Sequence, residues 1–307
     1  MGIISSLANL FGYVLNWLYN ILNNYGIAII VFSIMLRILL IPITIKQQRT
    51  MKKSSKLQVQ MKELQNKYKN NPEKLNQETI ELYKKEKMSP FSGCLSSILQ
   101  ILIILSVFYV VSKPLTYMKK IDKEVIDNYV NEIKAENSTA STYYEIDVVQ
   151  KKAAEDPQVN INMDFFGLDL SKVPNQNLKD LKVYIIPILY VITSFISIKM
   201  TNNMQSNINK DKKDEKTVEN DLENSDKPKD SSEEALESMQ DMTKTMSFMM
   251  PIMSIFIAFI APLGLALYWL VSNILMTIER LIIDKITNKQ KEDKDKPIEV
   301  EAKVEEK

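Results

Sequence analysis

The sequence predicts an all-α membrane protein, with five transmembrane helices, an interfacial amphipathic helix at the N-terminus and a cytoplasmic helical hairpin. Three observations predict it. First, a composition of 45% hydrophobic and 25% charged residues would suit a soluble protein on average, but the two kinds are segregated. Apolar blocks fall at 26–45, 95–111, 183–198, 246–260 and 263–283, with charged blocks between and after them, as in a multispanning membrane protein. Second, the run 26–45, GIAIIVFSIMLRILLIPITI, has the roughly 20 residues needed to cross a bilayer's hydrocarbon core. Third, Arg37 is the first charged side chain of the chain and lies near the middle of that run. A guanidinium there costs at least about 2.5–3.5 kcal/mol and stays protonated. A partner acid, neighbouring helices or a wet cavity must therefore solvate it.

Residues 1–24 lack the basic start and small-residue cleavage site of a secretory signal. Ile3, Ile4, Leu7, Leu10, Phe11, Val14, Leu15, Leu18 and Ile21 recur at helical spacing, with Ser5, Ser6, Asn9, Asn16 and Asn23 largely on the other side. This predicts an amphipathic helix at the membrane interface, anchored by Tyr13, Trp17 and Tyr19. An extra span is the alternative, and the asparagines at 16, 20, 23 and 24 argue against it.

The first span is placed at 25–46. Residues 46–90 carry twelve Lys or Arg against five acids, which puts this loop in the cytoplasm and the N-terminus outside. Within 47–90, Leu57, Met61, Leu64 and Tyr68 follow a helical repeat, and Pro72 is suited to open a second helix bearing Leu75, Thr79, Leu82 and Tyr83. A helical hairpin with a narrow apolar seam follows.

Spans two and three are placed at 91–112 and 183–200, separated by an extracellular loop, 113–182, whose residues 118–160 show no clear period and receive no assigned structure. A cytoplasmic loop at 201–244 is polar enough to be partly disordered. The last apolar block, 248–283, is too long for one crossing. Ala261-Pro262-Leu263-Gly264 supplies turn chemistry near its centre, so it divides into spans 245–261 and 262–284. The tail 285–307 is expected to be disordered and cytoplasmic.

Polar residues recur inside the spans. Ser33 lies one turn before Arg37; Ser96, Ser97 and Gln100 share a face, as do Thr193, Ser194 and Ser197, and also Trp269, Ser272 and Asn273. Converging faces would line a cavity wet enough for Arg37, while Ser and Thr are also ordinary helix-packing residues in membranes. No Asp or Glu lies in the apolar blocks opposite Arg37, and Glu279 falls near the inner end of the last span. Arg37 is therefore expected to stand without an acid of its own, free to attract acids from elsewhere.

There is no histidine, only one cysteine (Cys94), and no glycine-rich phosphate-binding spacing. These features argue against an enzyme and imply neither metal nor cofactor nor an intramolecular disulfide. The net charge of +1 offers no basic patch for sequence-specific nucleic-acid binding.

Several stretches resemble the YidC/Oxa/Alb family of membrane protein insertases, in its five-span form. They are GIAIIVFSIMLRILLIPITIKQQRTMKK (26–53), SPFSGCLSSILQILI (89–103), MDFFGLDLSKVP (163–174), YIIPILYVITSFIS (184–197) and MMPIMSIFIAFIAPLGLALYWLVSNIL (249–275). The resemblance implies a hydrophilic groove formed by the five helices, open to cytosol and lipid but closed outside, with Arg37 as its charged residue; the polar positions Ser33, Gln100, Thr193, Trp269 and Asn273 are expected to line it with Arg37. It implies a bacterial plasma-membrane location, nascent membrane-protein chains as substrates, and a translating ribosome and a Sec-type translocon as further partners beside the lipid bilayer. Ser96 departs from the family's usual Pro after GCL. Two other classes stay open: a small-solute transporter or channel, against which no inverted repeat is visible, and a membrane scaffold subunit.

Overall fold

The computed structural model describes residues 2–69, 71–86, 92–136, 142–210, 253 and 256–295. Helices α1 (Ile3–Leu22), α2 (Tyr25–Lys67), α3 (Pro72–Lys85) and α4 (Ser92–Ser112) come first. A π-helical turn (Leu115–Lys119), α5 (Lys123–Glu136), α6 (Tyr144–Lys152) and a two-stranded antiparallel hairpin, β1 (Asp164–Phe165) and β2 (Leu168–Asp169), follow. Two 3₁₀ turns lead into α7 (Ile185–Lys210), and the last described helix is α8 (Leu263–Asp295).

Helix α1 buries Ala8, Phe11, Leu15, Leu18 and Tyr19 against α2, α4 and the π-turn. Its other face exposes Leu10, Tyr13, Trp17 and Ile21, so both faces carry apolar groups. Two of the asparagines expected to disfavour a span, Asn23 and Asn24, do specific local work, while the Asn16 Oδ1 is buried without a partner among the described residues. Asn23 ends α1 in the left-handed conformation, its N–H donating to the Tyr19 carbonyl (2.7 Å), and the Asn24 side chain caps α2 by accepting from the Ile27 N–H (3.0 Å). Asparagine suits both positions because its short amide tolerates positive φ and substitutes for a missing helical partner.

Helix α2 has 43 residues, about 64 Å at 1.5 Å per residue, so the first span continues without a break into the first arm of the hairpin. Asn71 caps α3 and Pro72 opens it. The arms meet through buried Leu57 and Leu75, a Tyr68 hydroxyl donating to Glu78 (3.3 Å) and a Tyr83 hydroxyl beside the Met61 sulfur (3.5 Å).

The segment 118–160, given no structure from its sequence, contains α5 and α6. Ile126, Ile133, Ile146, Val148 and Val149 are buried in the core they share with the spans. In α5, Ile126, Tyr129, Val130 and Ile133 do recur at helical spacing, whereas the nine residues of α6 have too few turns to show a period. Lys152 ties them together, its ammonium 3.1 Å from Glu132 and 2.9 Å from Glu155.

This segment caps one end of the helix bundle. Asn162 stitches the α1–α2 junction: its N–H donates to the Tyr19 hydroxyl (2.8 Å), its amide to the Asn23 carbonyl (2.9 Å), and its own carbonyl accepts from the Tyr25 N–H (3.0 Å). Phe165 lies so close to Gly26 that a Cβ there would enter its ring. At the start of α8, the Leu263 and Gly264 N–H groups donate to the carbonyls of Lys172 and Leu170 (both 2.9 Å), satisfying donors that a helix start leaves free.

Three helical stretches are long and apolar enough to cross a membrane: Tyr25–Thr50, Leu181–Met200 and Leu263–Ile286. Ile98–Ser112 is a shorter apolar helix. The predicted span 245–261 falls largely outside the described residues, although 256–260 are helical and the chain breaks at Ala261-Pro262 before α8. Helix α7 extends ten residues past the expected boundary at 200, and α8 carries helix to Asp295, well into the tail expected to be disordered from 285. Residues 211–244 and 296–307 lie outside the described residues. Ile38, Leu39, Ile188, Phe195, Ile278 and Ile282 project from the long helices with about half or more of their surface exposed, as lipid-facing side chains do.

Glu145 is buried in the cap, where its carboxylate accepts from the Thr116 N–H (2.9 Å) and hydroxyl (2.6 Å). Burial raises its pKa above the ordinary carboxyl value, opposed by the Thr116 hydrogen bonds and by Lys113. A carboxyl whose folded pKa is raised adds stability when protonated and loses it as pH rises from the unfolded pKa through the folded one. Thermal unfolding of the purified protein should show this decline in stability above the ordinary Glu range, and Glu145→Gln should flatten it. A second expectation concerns Gly12, where a Cβ would strike the Tyr117 carbonyl oxygen. Gly12→Val should cost about 1–3 kcal/mol in a denaturant titration.

Candidate functional site

The polar residues of the last two long spans meet in a ladder. On α8, Trp269, Asn273 and Thr277 lie four residues apart, one helical turn each, on the side facing α7. The Asn273 amide donates to the Ser194 hydroxyl (3.1 Å) and reaches the Thr193 hydroxyl at 3.4 Å. Thr193 donates back to the Tyr190 carbonyl of its own helix (3.0 Å). One turn on, the Thr277 hydroxyl lies 3.0 Å from that of Ser197 and donates to the Asn273 carbonyl (2.8 Å). Trp269 packs beside the Tyr190 ring, with centroids 6.5 Å apart. These groups thus satisfy one another in part, rather than only facing a cavity.

The charged centre lies between α2 and α8. Arg37 Nη1 is 4.0 Å from Glu279 Oε2, and the two side chains are only 13% and 10% exposed. The expectation that no acid of this chain stands against Arg37 is therefore wrong. Distance from the span's inner end misled, because both side chains are long and the helices start at the same capped end. Arg37 is 12 residues into α2 and Glu279 is 16 into α8, about 18 and 24 Å along their axes. The remaining offset of about one turn is easily bridged.

Tyr268, buried, and Arg280 complete the electrostatic surroundings: Tyr268 interacts with Arg37, and Arg280 with both Glu279 and Arg37. Glu279 Oε1 is buried without a hydrogen-bond partner among the described residues. Ser33 is buried one turn above Arg37, and its hydroxyl donates to the Ile29 carbonyl of its own helix (2.7 Å). Gln100 sits half-buried on α4, which packs on α2 and α8, and it forms no hydrogen bond with the described side chains of this centre. The structure thus joins Thr193, Trp269 and Asn273 in one ladder, sets Arg37 beside it through α8, and leaves Ser33 and Gln100 apart. Glu279, Arg280, Tyr268 and Thr277 were missed. Ser272 and Glu279 are seven residues, two turns, apart on α8, and that spacing was the available signal. Among the described residues, no group of three or more His, Cys, Asp or Glu is placed to hold a metal ion.

The family profile described as 60Kd inner membrane protein matches residues 17–292, which include every residue of this centre. The chain belongs to that family. A relative from Treponema denticola, named membrane protein insertase YidC, is 27% identical over 289 residues, covering 94% of this chain and 39% of its own length. A protein of the same name from Caldanaerobacter subterraneus subsp. tengcongensis is 41% identical over 104 residues, 34% of this chain and 50% of the relative. One from Chlorobaculum tepidum is 26% identical over 279 residues, 91% of this chain and 36% of the relative. The chain thus spans half or less of the length of these curated relatives. Family membership and the long apolar helices make it a multi-pass membrane protein.

Removing Asn273 tests how far the ladder holds α7 to α8. Interhelical hydrogen bonds in membranes are worth about 0.6–2 kcal/mol. Asn273→Ala should lose that much in detergent unfolding. In a double-mutant cycle the loss should largely disappear when Ser194 and Thr193 are already Ala and Val.

Proposed function

We propose that this protein is a membrane protein insertase, which moves hydrophilic segments of newly made membrane proteins across the bilayer and releases their apolar segments into lipid. The observation that carries the reading is a largely buried arginine, Arg37, set among apolar helices beside a polar helix–helix seam, in a chain of the 60Kd inner membrane protein family. The proposed process breaks no covalent bond. Polar side chains and water substitute for solvation lost by the translocating segment, and the apolar part leaves laterally because its burial in lipid is favourable. A membrane potential adds about 2.3 kcal/mol per charge per 100 mV for acidic segments drawn outward.

In this reading the 113–184 cap faces outside, the α2–α3 hairpin meets substrates in the cytoplasm, and α1 lies at the outer interface. Nascent chains are the substrates, with ribosome and Sec-type translocon as partners. The presence of Glu279 alters the electrostatics, because Arg37 does not wait as a lone cation. An incoming carboxylate would instead compete with Glu279, whose 4.0 Å separation from Arg37 is at the outer limit of an ion pair.

Photocrosslinking from position 37 to ribosome-bound nascent chains tests the reading directly. Adducts with membrane-protein chains, and none with soluble ones, are expected. Arg37→Ala should impair insertion of clients with acidic translocated segments more than neutral ones, and equal loss for both would refute the electrostatic part. A cysteine at Gln100 should react with water-soluble thiol reagents added from the cytosolic side only.

A further inference from the structure

We infer that Lys119 and Lys120, folded back onto α1, form with the exposed apolar stripe of that helix a docking surface for anionic phospholipid, the ammonium groups taking the phosphodiester and the stripe taking the acyl chains. The inference needs only a multi-pass membrane protein and stands apart from the insertase reading.

Leu10, Tyr13, Trp17 and Ile21 follow one another along α1 at spacings of three and four residues, so they share one side of the helix, and each is more than half exposed. Tyrosine and tryptophan suit the level of lipid headgroups, where an apolar ring and a polar tip are both solvated. The basic side chains come from the π-helical turn Leu115–Lys119, which presses on α1 at Gly12, where the absence of a Cβ admits the Tyr117 carbonyl. Lys120 follows in the left-handed conformation (φ 58°), and the Ile121 N–H closes the turn on the Leu115 carbonyl (3.0 Å). Two successive lysines thereby reach the same helix. Lys120 Nζ donates to Asn9 Oδ1 (2.7 Å) and stands 4.3 Å from the centre of the Tyr13 ring, while Lys119 Nζ stands 4.8 Å from that of Tyr19.

Neither lysine has a carboxylate partner among the described residues, whereas Lys152 and Lys172 of the same cap hold Glu132, Glu155 and Asp180. Burial lowers the pKa of both ammonium groups, with no acid close enough to oppose it. An ammonium offers three donors, and within the described chain Asn9 accepts one from Lys120 while only a ring face meets Lys119. The missing partner is therefore an anion rich in oxygen acceptors. It also has an apolar body, because the cations and the stripe lie on one helix. Only Asn23 and Asn24 separate α1 from α2, the first span, so both features stand where the chain enters the bilayer. A phospholipid meets both demands at that level. A net negative headgroup gains more from two lysines than a zwitterionic one, whose own cation lies beside its phosphate.

The test uses the full chain in vesicles, in a Trp269→Phe background that leaves Trp17 as the sole tryptophan. The vesicles hold equal parts of phosphatidylglycerol and phosphatidylcholine, with bromine on the acyl chains of one or the other. Bromine quenches an indole that it touches, so the ratio of the two quenching levels reads the lipid preference at α1. Brominated phosphatidylglycerol should quench more. Lys119→Gln and Lys120→Gln should each cut that preference by about three- to fivefold. Arginine at both positions should keep it, as should Lys134→Gln, which removes an exposed charge elsewhere in the cap. Vesicles of brominated phosphatidylcholine alone should quench every variant equally, which controls for folding. Should a Gln variant not accumulate, raising the salt should erase the preference in the parent, since screening weakens the attraction. Equal quenching by the two lipids in the parent, or a preference that survives both Gln substitutions or high salt, would overturn the inference. So would an unquenched Trp17 in fully brominated vesicles, because protein, a second copy or another chain, then covers the stripe. Failure here leaves the insertase reading intact, since that is scored by crosslinking at position 37.

Discussion

A permanent cation placed among apolar helices is the constraint on which this structure turns. Arg37 cannot neutralise itself by losing a proton, and in a weakly polar setting its solvation must come from the chain. The chain answers with Glu279, one turn deeper on the last helix, and the answer is incomplete: the pair is long and one carboxylate oxygen lacks a partner among the described residues. Helices α2 and α8 are thus bound to each other electrostatically, while α8 is bound to α7 by hydroxyl and amide groups one turn apart. The last helix is common to both contacts, and a displacement of one is felt by the other.

The cap keeps this centre in register. Asn162 closes the junction of α1 and α2, the strand hairpin leans on Gly26, and the Leu170 and Lys172 carbonyls receive the first N–H groups of α8. Both helices that carry the charged pair therefore begin at positions set by one folded segment. Depth along a helix follows from where it starts, at about 1.5 Å per residue, so pinning both starts aligns Arg37 with Glu279. Within the cap, Glu145 holds the π-turn through Thr116, an arrangement in which burial and hydrogen bonding pull the carboxyl's protonation in opposite directions.

At the opposite end, α2 passes from apolar span to charged hairpin with no interruption in its helix. Pro42 lies inside this helix between Arg37 and the hairpin, where its missing N–H removes one rung of the helical ladder. The seam holding the hairpin is thin, with Leu57 and Leu75 buried and tyrosines making its polar contacts, so it contributes far less apolar burial than the spans do.

By itself the sequence determined the helical membrane class, the long apolar segments, the break at Ala261-Pro262, the Pro72 helix start, and the helix faces shared by Thr193, Ser194 and Ser197 and by Trp269 and Asn273. Each of these is written in local periodicity or backbone chemistry, which requires no knowledge of distant residues. Tertiary structure decided the short helix α6, whose nine residues are too few to show a period, while α5 carries a helical pattern in Ile126, Tyr129, Val130 and Ile133. It also decided that Asn273 faces Ser194 across two helices, and that the acid solvating Arg37 is 242 positions away in the chain. Apolar periodicity reveals which face of a helix is buried, but not the axial offset between helices. That offset is set by the cap and the packing of the spans, and it alone brings opposite charges together.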